Sequence, residues 1–198
     1  KPITKRNYLV DRVTDIPETV REAFALAGGN RPGPVLIDIP KDIQQHYPRD
    51  PEGNYTPPRM PAVLSAPEAE IGGLTDNQLQ ECLRLISEAQ RPVIYAGGGI
   101  VSSQSEEDLL MLAEKLQCPV TTTLMAVGAF PPGHQLSLHV LGMHGSKYAN
   151  VAVNEADLVL ALGVRFDDRV TGNVNEFIRE GKIIHIDIDR DELNKNKT

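Results

Sequence analysis

The chain has 198 residues, 40% of them hydrophobic and 24% charged, the balance of an ordinary water-soluble globular protein with room for one large domain or one domain and part of another. A formal net charge of -7 argues against nucleic acid as a ligand, because phosphate binding needs a basic face. No apolar run approaches the roughly 18 residues that span a bilayer, which argues against a membrane partner.

The beginning, KPITKRNYLV, lacks the apolar stretch and small-residue cleavage site of a signal peptide, and the end, DELNKNKT, has no obvious closing element. The sequence therefore reads as an excised fragment. From Pro17 to Ala27 the residues Val20, Ala23, Phe24 and Ala27 form a helical stripe, with Pro17 in the first turn and Gly28-Gly29 at the stop. RPGPVLIDIP then gives a short strand, Val35 to Ile39, closed by Pro40. Between Gln45 and Leu74 six prolines (48, 51, 57, 58, 61, 67) and mixed charges leave no periodicity, the pattern of a linker laid over a surface.

A regular rhythm follows. Asp76 is expected to cap a helix whose stripe is Leu79, Cys82, Leu83 and Ile86. PVIYAGGG reads as a strand ending in three glycines, and SSQSEEDLLMLAEKLQ as a helix with Leu109, Leu112, Ala113 and Leu116 on one face. Its acids lie in the first turns, where the helix dipole favours them. CPVTTT, DLVLALGV and KIIHIDID are further strands joined by helical or irregular crossovers. Continuous apolar strands alternating with amphipathic helices specify an α/β fold with a doubly wound parallel sheet covered on both faces. Cys82 and Cys118 lie among apolar neighbours and read as reduced thiols.

In such sheets ligands sit beyond the carboxyl ends of the strands. Gly97, Gly98 and Gly99 there let backbone N–H groups approach an anion, although a plain tight turn explains a glycine triplet equally well. Thr121 to Met125 close the next strand with hydroxyls and a flexible Met. In RFDDR, Arg165 offers a planar fork of donors to a pyrophosphate, with a self-satisfied surface turn of Asp167, Asp168 and Arg169 as the competing reading. Asp187 suits a ribose hydroxyl or, alternatively, the cap of the next short helix. Four such strand ends together point to a nucleotide or dinucleotide pocket. His134, His139 and His144, five residues apart, share no helix face, so no metal ligand is assigned. No Ser or Cys stands in a nucleophile-elbow context, and no P-loop pattern occurs.

Several stretches in order, RPGPVLIDIPKDIQ, RPVIYAGGG, LGMHGSKYAN, LGVRFDDRVTG and KIIHIDIDRDELNKNK, closely resemble the catalytic large subunit of the acetolactate synthase (acetohydroxyacid synthase) family across nearly the whole chain. The resemblance implies a thiamine diphosphate- and Mg²⁺-dependent transferase of branched-chain amino acid biosynthesis, which joins decarboxylated pyruvate to a second 2-oxo acid. It implies the Rossmann-like central domain of such enzymes, binding FAD that takes no net redox part. On that basis residues 1–45 are the end of the pyrimidine-binding domain, 46–75 the linker, and 76–198 a truncated FAD-binding domain. The implied flavin contacts are Arg31, Gly97, Gly98, Gly99, Thr123, Leu124, Met125, Leu141, Gly142, Met143, His144, Gly163, Val164, Arg165, Phe166, Asp167, Asp187 and Ile188. The implied substrate channel is Lys41, Asp168 and Arg169. If RFDDR continues the strand, Arg165 and Asp167 address one side and Asp168 the other. The family's partners would be further catalytic subunits, in a dimer or tetramer, and a regulatory small subunit. Its compartment would be the cytoplasm in bacteria and the plastid in plants. Runners-up with related central domains are glyoxylate carboligase, pyruvate oxidase and oxalyl-CoA decarboxylase; from another class, a non-catalytic adenine-nucleotide-binding module.

The resemblance assigns no catalytic residue here, because neither the GDG-type segment for Mg²⁺ and diphosphate nor the cofactor-activating Glu has a counterpart in these residues. Incubation of the 198-residue chain with pyruvate, thiamine diphosphate, Mg²⁺ and FAD is therefore expected to yield no acetolactate, whereas robust turnover in a colorimetric acetoin assay would overturn that expectation.

Overall fold

The structure, a computed structural model, describes residues 3–50, 52–57 and 73–197. Backbone contacts divide the chain into two units, residues 1–71 and 72–198. Two parallel strands, β1 (Arg6–Leu9) and β2 (Val35–Asp38), form the first unit's sheet, with Arg6 opposite Val35. Between them runs α1 (Ile16–Gly28), with Pro17 in its first turn and the Gly29 N–H closing on Ala25 O at 3.0 Å. A short helix, α2 (Lys41–Gln45), follows Pro40.

The α1 stripe is only partly turned inward. Ala23 is buried, but Phe24 is 75% exposed, against the expectation that it packs. Strands lie about 4.8 Å apart, whereas a helix with its side chains is about 10 Å across. Two strands therefore cannot cover the flank where Phe24 stands. In the expected linker, Asp50 folds a tight turn by accepting the Asn54 N–H at 2.7 Å, while residues 51 and 58–72 lie outside the described residues.

The second unit is built on five parallel strands: β3 (Pro92–Ala96), β4 (Val120–Thr122), β5 (Ser137–Val140), β6 (Leu158–Leu162) and β7 (Lys182–Ile186), in the order β5-β4-β3-β6-β7. Its helices are α3 (Asp76–Glu88), α4 (Gly98–Ser103), α5 (Glu106–Leu116), α6 (Lys147–Glu155) and α7 (Asp168–Thr171). Strand alternation sorts the apolar runs onto two faces. Ile94, Leu158, Leu160 and Ile184 pack with Leu109 and Ala113 of α5. Val93, Tyr95, Val159 and Ala161 pack with Ala149 and Val153 of α6. A sheet covered on both faces is what continuous apolar strands require.

Three local expectations change. Thr75, not Asp76, caps α3: its Oγ1 accepts the Gln78 N–H at 3.3 Å and Gln78 Oε1 accepts the Thr75 N–H at 3.0 Å, a reciprocal capping box. The inner face of α3 is Cys82, Leu85, Ile86 and Ala89, leaving Leu79 and Leu83 exposed. Finally, β5 is a strand in a stretch assigned to a crossover. Its four residues include His139 at φ 58° and a register irregularity against β4, which erases any alternating signal. Both cysteines are free, and burial pushes the Cys118 thiol up to about 12.

At the amino ends of the strands, Asp157 ties three of them together. Its carboxylate accepts the Gln90 N–H at 2.7 Å and the Arg91 N–H at 2.9 Å ahead of β3, and its carbonyl accepts the Lys182 N–H at 2.9 Å at the start of β7. Partial burial raises the Asp157 pKa, but the two backbone N–H bonds outweigh it and the net shift is downward. Asp157→Ala is expected to cost about 1–2 kcal/mol in urea unfolding, the yield of hydrogen bonds to a half-buried carboxylate. A depressed folded-state pKa contributes stability above the unfolded value of about 3.9 and loses it as pH falls through the folded value. Wild-type and variant unfolding curves should therefore begin to approach one another below about pH 4 and meet only once the pH has passed the depressed folded-state value.

Candidate functional site at the carboxyl ends of the sheet

Because the five strands are parallel, all end on one edge. From β3 the chain winds outward through β4 and β5, then returns to the other side of β3 as β6 and continues to β7. The order reverses between β3 and β6, where doubly wound sheets open a crevice. Gly97–Gly99 follow β3, Thr123–Met125 follow β4, Leu141–His144 follow β5, Gly163–Asp167 follow β6, and Asp187 and Ile188 follow β7. The strand-end candidates thus gather along one edge. Arg31, in the turn after α1, and Lys41, the first residue of α2, belong to the first unit.

At the reversal, backbone lies against backbone. A Cβ on Gly97 would fall 2.1 Å from Gly163 O, and one on Gly99 would fall 2.6 Å from Gly163 Cα. Gly163 has φ +60°, and its own Cβ would meet Gly99 Cα at 2.5 Å. The Gly97 N–H donates to Leu162 O at 2.9 Å and the Gly99 N–H to Gly163 O at 3.2 Å. Two glycines of the triplet are thus required by the fit of neighbouring loops. Gly98 differs, since its Cβ would meet only Met125 Cβ at 3.3 Å and Met125 O at 4.0 Å.

The charged knot is a strand-to-helix turn. β6 stops at Leu162, so the alternation expected to separate Arg165 and Asp167 from Asp168 does not apply. Phe166, at φ 49°, turns its buried ring toward His185 (5.2 Å between centroids), Tyr95 (5.9 Å) and Phe177 (6.2 Å). Its neighbours are thereby thrown outward, and Arg165 Nη2 donates to Asp167 Oδ2 at 2.6 Å. Asp167 also caps α7 through the Arg169 N–H at 3.1 Å. That backbone bond first, then the side chains of Asp168 and Arg165, hold the Asp167 carboxyl below its usual range. Arg169 remains 77% exposed, 3.9 Å from Asp167.

Some candidates are placed differently from expectation. Leu141 and Val164 bury their side chains in the core and can offer a ligand only backbone. Asp187 accepts the Asp189 N–H at 2.8 Å, and Asp189, not Asp187, caps the 3₁₀ turn Arg190–Glu192. Supporting residues that carried no sequence signal also appear. His185 Nε2 donates to Val164 O at 2.7 Å and Asn196 Nδ2 to Arg165 O at 2.9 Å, fixing the backbone of the knot.

Around these turns stand apolar side chains open to water: Leu124 at 79%, Met125 at 76%, Met143 at 74% and Ile188 at 53% exposure. Beside Leu124, Thr123 Oγ1 is buried and meets no partner among the described residues. A cavity of about 320 Å³ brings Gly142 and Met143 together with Asp168, Arg169 and Phe177. Exposed apolar groups, an orphan hydroxyl and glycine-lined turns suit a flat, polar-edged ligand.

A family model described as "Thiamine pyrophosphate enzyme, central domain" matches residues 79–198. Acetolactate synthase 1, chloroplastic, of Nicotiana tabacum is 53% identical over 198 residues, covering all of this chain and 28% of that protein. Acetolactate synthase, chloroplastic, of Arabidopsis thaliana is 50% identical over 200 residues, again covering all of this chain and 28% of the relative. The chain thus spans less than a third of the length of these relatives. Among solved structures, a Rhodococcus jostii RHA1 thiamine diphosphate-dependent 4-hydroxybenzoylformate decarboxylase superposes with a TM-score of 0.73 at 23% identity, over 99% of this chain and 36% of the other, a likeness of fold alone.

The glycine geometry separates two neighbouring substitutions. Gly97→Ala is expected to cost about 3 kcal/mol or more, or to abolish cooperative unfolding, since its Cβ meets a carbonyl that cannot yield. Gly98→Ala should stay within about 1 kcal/mol, because its Cβ would stand 3.3 Å from Met125 Cβ, a crowding that a small shift of that turn relieves. Circular-dichroism melts of the two variants check this, and equal losses would contradict the interlocked loops.

Proposed function

We propose a function from the premise that the chain belongs to the thiamine pyrophosphate enzymes, with residues 79–198 as their central domain: this part is the FAD-holding middle region of an acetolactate synthase catalytic subunit. The observation that carries the flavin reading is the row of turns at the strand reversal, where Gly97–Gly99, the Arg165 knot and exposed Leu124, Met125 and Met143 follow the ends of neighbouring strands. The identity of about 50% along the whole chain supports acetolactate synthase over the other thiamine enzymes.

The residues present fit FAD. The Gly98 N–H, in a turn whose Gly97 and Gly99 N–H groups are already bonded to Leu162 O and Gly163 O, and the Arg165 guanidinium suit its pyrophosphate, Asp187 a ribose hydroxyl, and Thr123, Leu124, Met125, Leu141, Gly142, Met143 and His144 the remaining polar edges and rings. Gly163, Val164, Phe166, Asp167 and Ile188 complete the strand-end wall, and Arg31 is assigned by resemblance. In the same reading Lys41, Asp168 and Arg169 line the path of the 2-oxo acids. Thiamine diphosphate with Mg²⁺ supplies, when bound, the electron sink for decarboxylation and carbon–carbon bond formation. What these residues contribute is binding, orientation and exclusion of water. Residues 1–45 and 46–75 are read as the end of the pyrimidine-binding domain and the linker. Further catalytic subunits and a regulatory small subunit are the proposed partners. The named relatives are chloroplastic, which supports a plastid for a plant source; a bacterial source would place the chain in the cytoplasm.

Flavin titration of the chain tests this reading. FAD is expected to bind with quenched fluorescence, and Arg165→Ala to weaken it about tenfold, roughly 1.4 kcal/mol. That lies just below the usual range for charge-assisted bonds, because Arg165 is 56% exposed and already shares its charge with Asp167. Asp168→Ala, three residues away, should leave flavin affinity unchanged. Tight binding of ADP without any preference for FAD would instead favour the adenine-nucleotide module.

A further inference from the structure

Asn150, in the first turns of α6, spends its whole side-chain amide on one neighbouring loop. Nδ2 donates to Gly142 O at 3.1 Å and to Ser146 O at 2.9 Å, while Oδ1 accepts the Gly142 N–H at 3.3 Å. Both polar backbone groups of Gly142 are therefore gripped by one planar group, as a strand partner would grip them. Gly142 is buried at φ +104°, and a Cβ there would lie 3.1 Å from Arg169 O and from Val170 Cα. The next N–H, of Met143, donates to Arg169 O at 3.0 Å. Behind it the loop closes on itself, with the Gly145 N–H on Gly142 O at 2.9 Å and the Ser146 N–H on Val140 O at 3.0 Å. The peptide that Asn150 holds is thus wedged between α6 and the first turn of α7.

We infer that Asn150 is a positioning residue, which touches no ligand but sets the loop Leu141–His144 and, through the Met143–Arg169 hydrogen bond, its spacing from the Asp168–Arg169 turn across the cavity. The inference rests on the flavin reading of the site. Asparagine suits the role because one flat group carries a donor and an acceptor side by side. Aspartate, of the same shape, would aim a second oxygen at the carbonyls of Gly142 and Ser146. Alanine would take from Gly142 the acceptor of its N–H and leave its C=O with the Gly145 N–H alone.

The test compares the chain with Asn150→Asp and Asn150→Ala, read by backbone amide hydrogen exchange and by FAD titration well below the melting temperature. The Met143 and Gly142 amides should exchange roughly tenfold faster or more in both variants, the loss of a net hydrogen bond, while the amides of β3 and β6 keep wild-type rates. FAD affinity should fall by about tenfold, more for aspartate than for alanine. If aspartate prevents folding, alanine carries both measurements. Unchanged loop exchange would show that Asn150 does not set the loop, and faster exchange with FAD affinity within twofold of wild type would reduce it to a structural role; either overturns the inference alone. A wild-type chain that binds no FAD would instead sink the flavin reading, and this inference with it.

Discussion

The backbone contact of Gly97 and Gly99 with Gly163 is the constraint on which the strand-end site depends. β3 and β6 lie side by side in register, Ala96 opposite Leu162, and at that point the chain's path reverses. Two loops must leave adjacent strands with no gap wide enough for a side chain between them. Glycine at all three positions permits this, and Gly163 additionally supplies the left-handed φ that turns its loop away. A Cβ on any of the three would push the loops apart and break the Gly99–Gly163 hydrogen bond. The outer turns then take their places from this junction: Thr123 bonds to Ala96 O at 2.9 Å, and Leu141 bonds in turn to Thr122 O at 3.1 Å.

Charge in the site is arranged against the charge of the whole. A chain of net charge -7 that receives an anion needs local positive potential, and the knot supplies it unevenly. Asp167 is consumed within the turn, by Arg165 and by the Arg169 N–H through which it caps α7. Among the described residues the Arg169 guanidinium has only a distant ion-pair partner, Asp167 at 3.9 Å. The four charges sum to zero, yet the guanidinium groups stand at 56% and 77% exposure beside an acid only 25% exposed. Asp168 is exposed as well, so the outer face of the knot presents two cations and one anion, a local excess of one positive charge.

Much of this was legible in the residues themselves. β3 and β6 announce themselves because strands buried on both faces must be continuously apolar, β4 (VTT) and the edge strand β7 (KIIHI) by their β-branched residues between helices, and the rule that ligands gather at strand ends then locates the candidates. β5 was not legible, since an edge strand of SLHV with a positive φ at His139 has neither the run nor the alternation. The true cap of α3 was readable, because Thr75 followed three residues later by Gln78 is the capping-box spacing; Asp76 drew attention only as the more familiar acid. The inward turn of Leu141 and Val164 was not readable. Nor were the supports from His185, Asn196 and Asn150, which act over 21, 31 and 8 residues of sequence. Contacts of that kind are set by which strands become neighbours, and no local pattern encodes them.

Phe166 shows why a rule of alternation failed at the most informative place. A non-glycine residue in the left-handed region costs about 1–2 kcal/mol. The ring offsets this by its burial among Tyr95, Phe177 and His185, each such aromatic pair adding about 0.5–1.5 kcal/mol beyond burial itself. Glycine at this position would relieve the backbone and lose the anchor, leaving Arg165 and Asp167 on a loose turn. Phenylalanine does the opposite: it fixes one residue inward so that the polar residues on either side must face out. His185 completes the anchor by meeting the ring edge to face while its Nε2–H holds Val164 O, so the same side chain steadies both the core and the backbone leading into the knot. The strain at Phe166 is therefore what directs the charges, and the aromatic core beneath them is what sustains the strain.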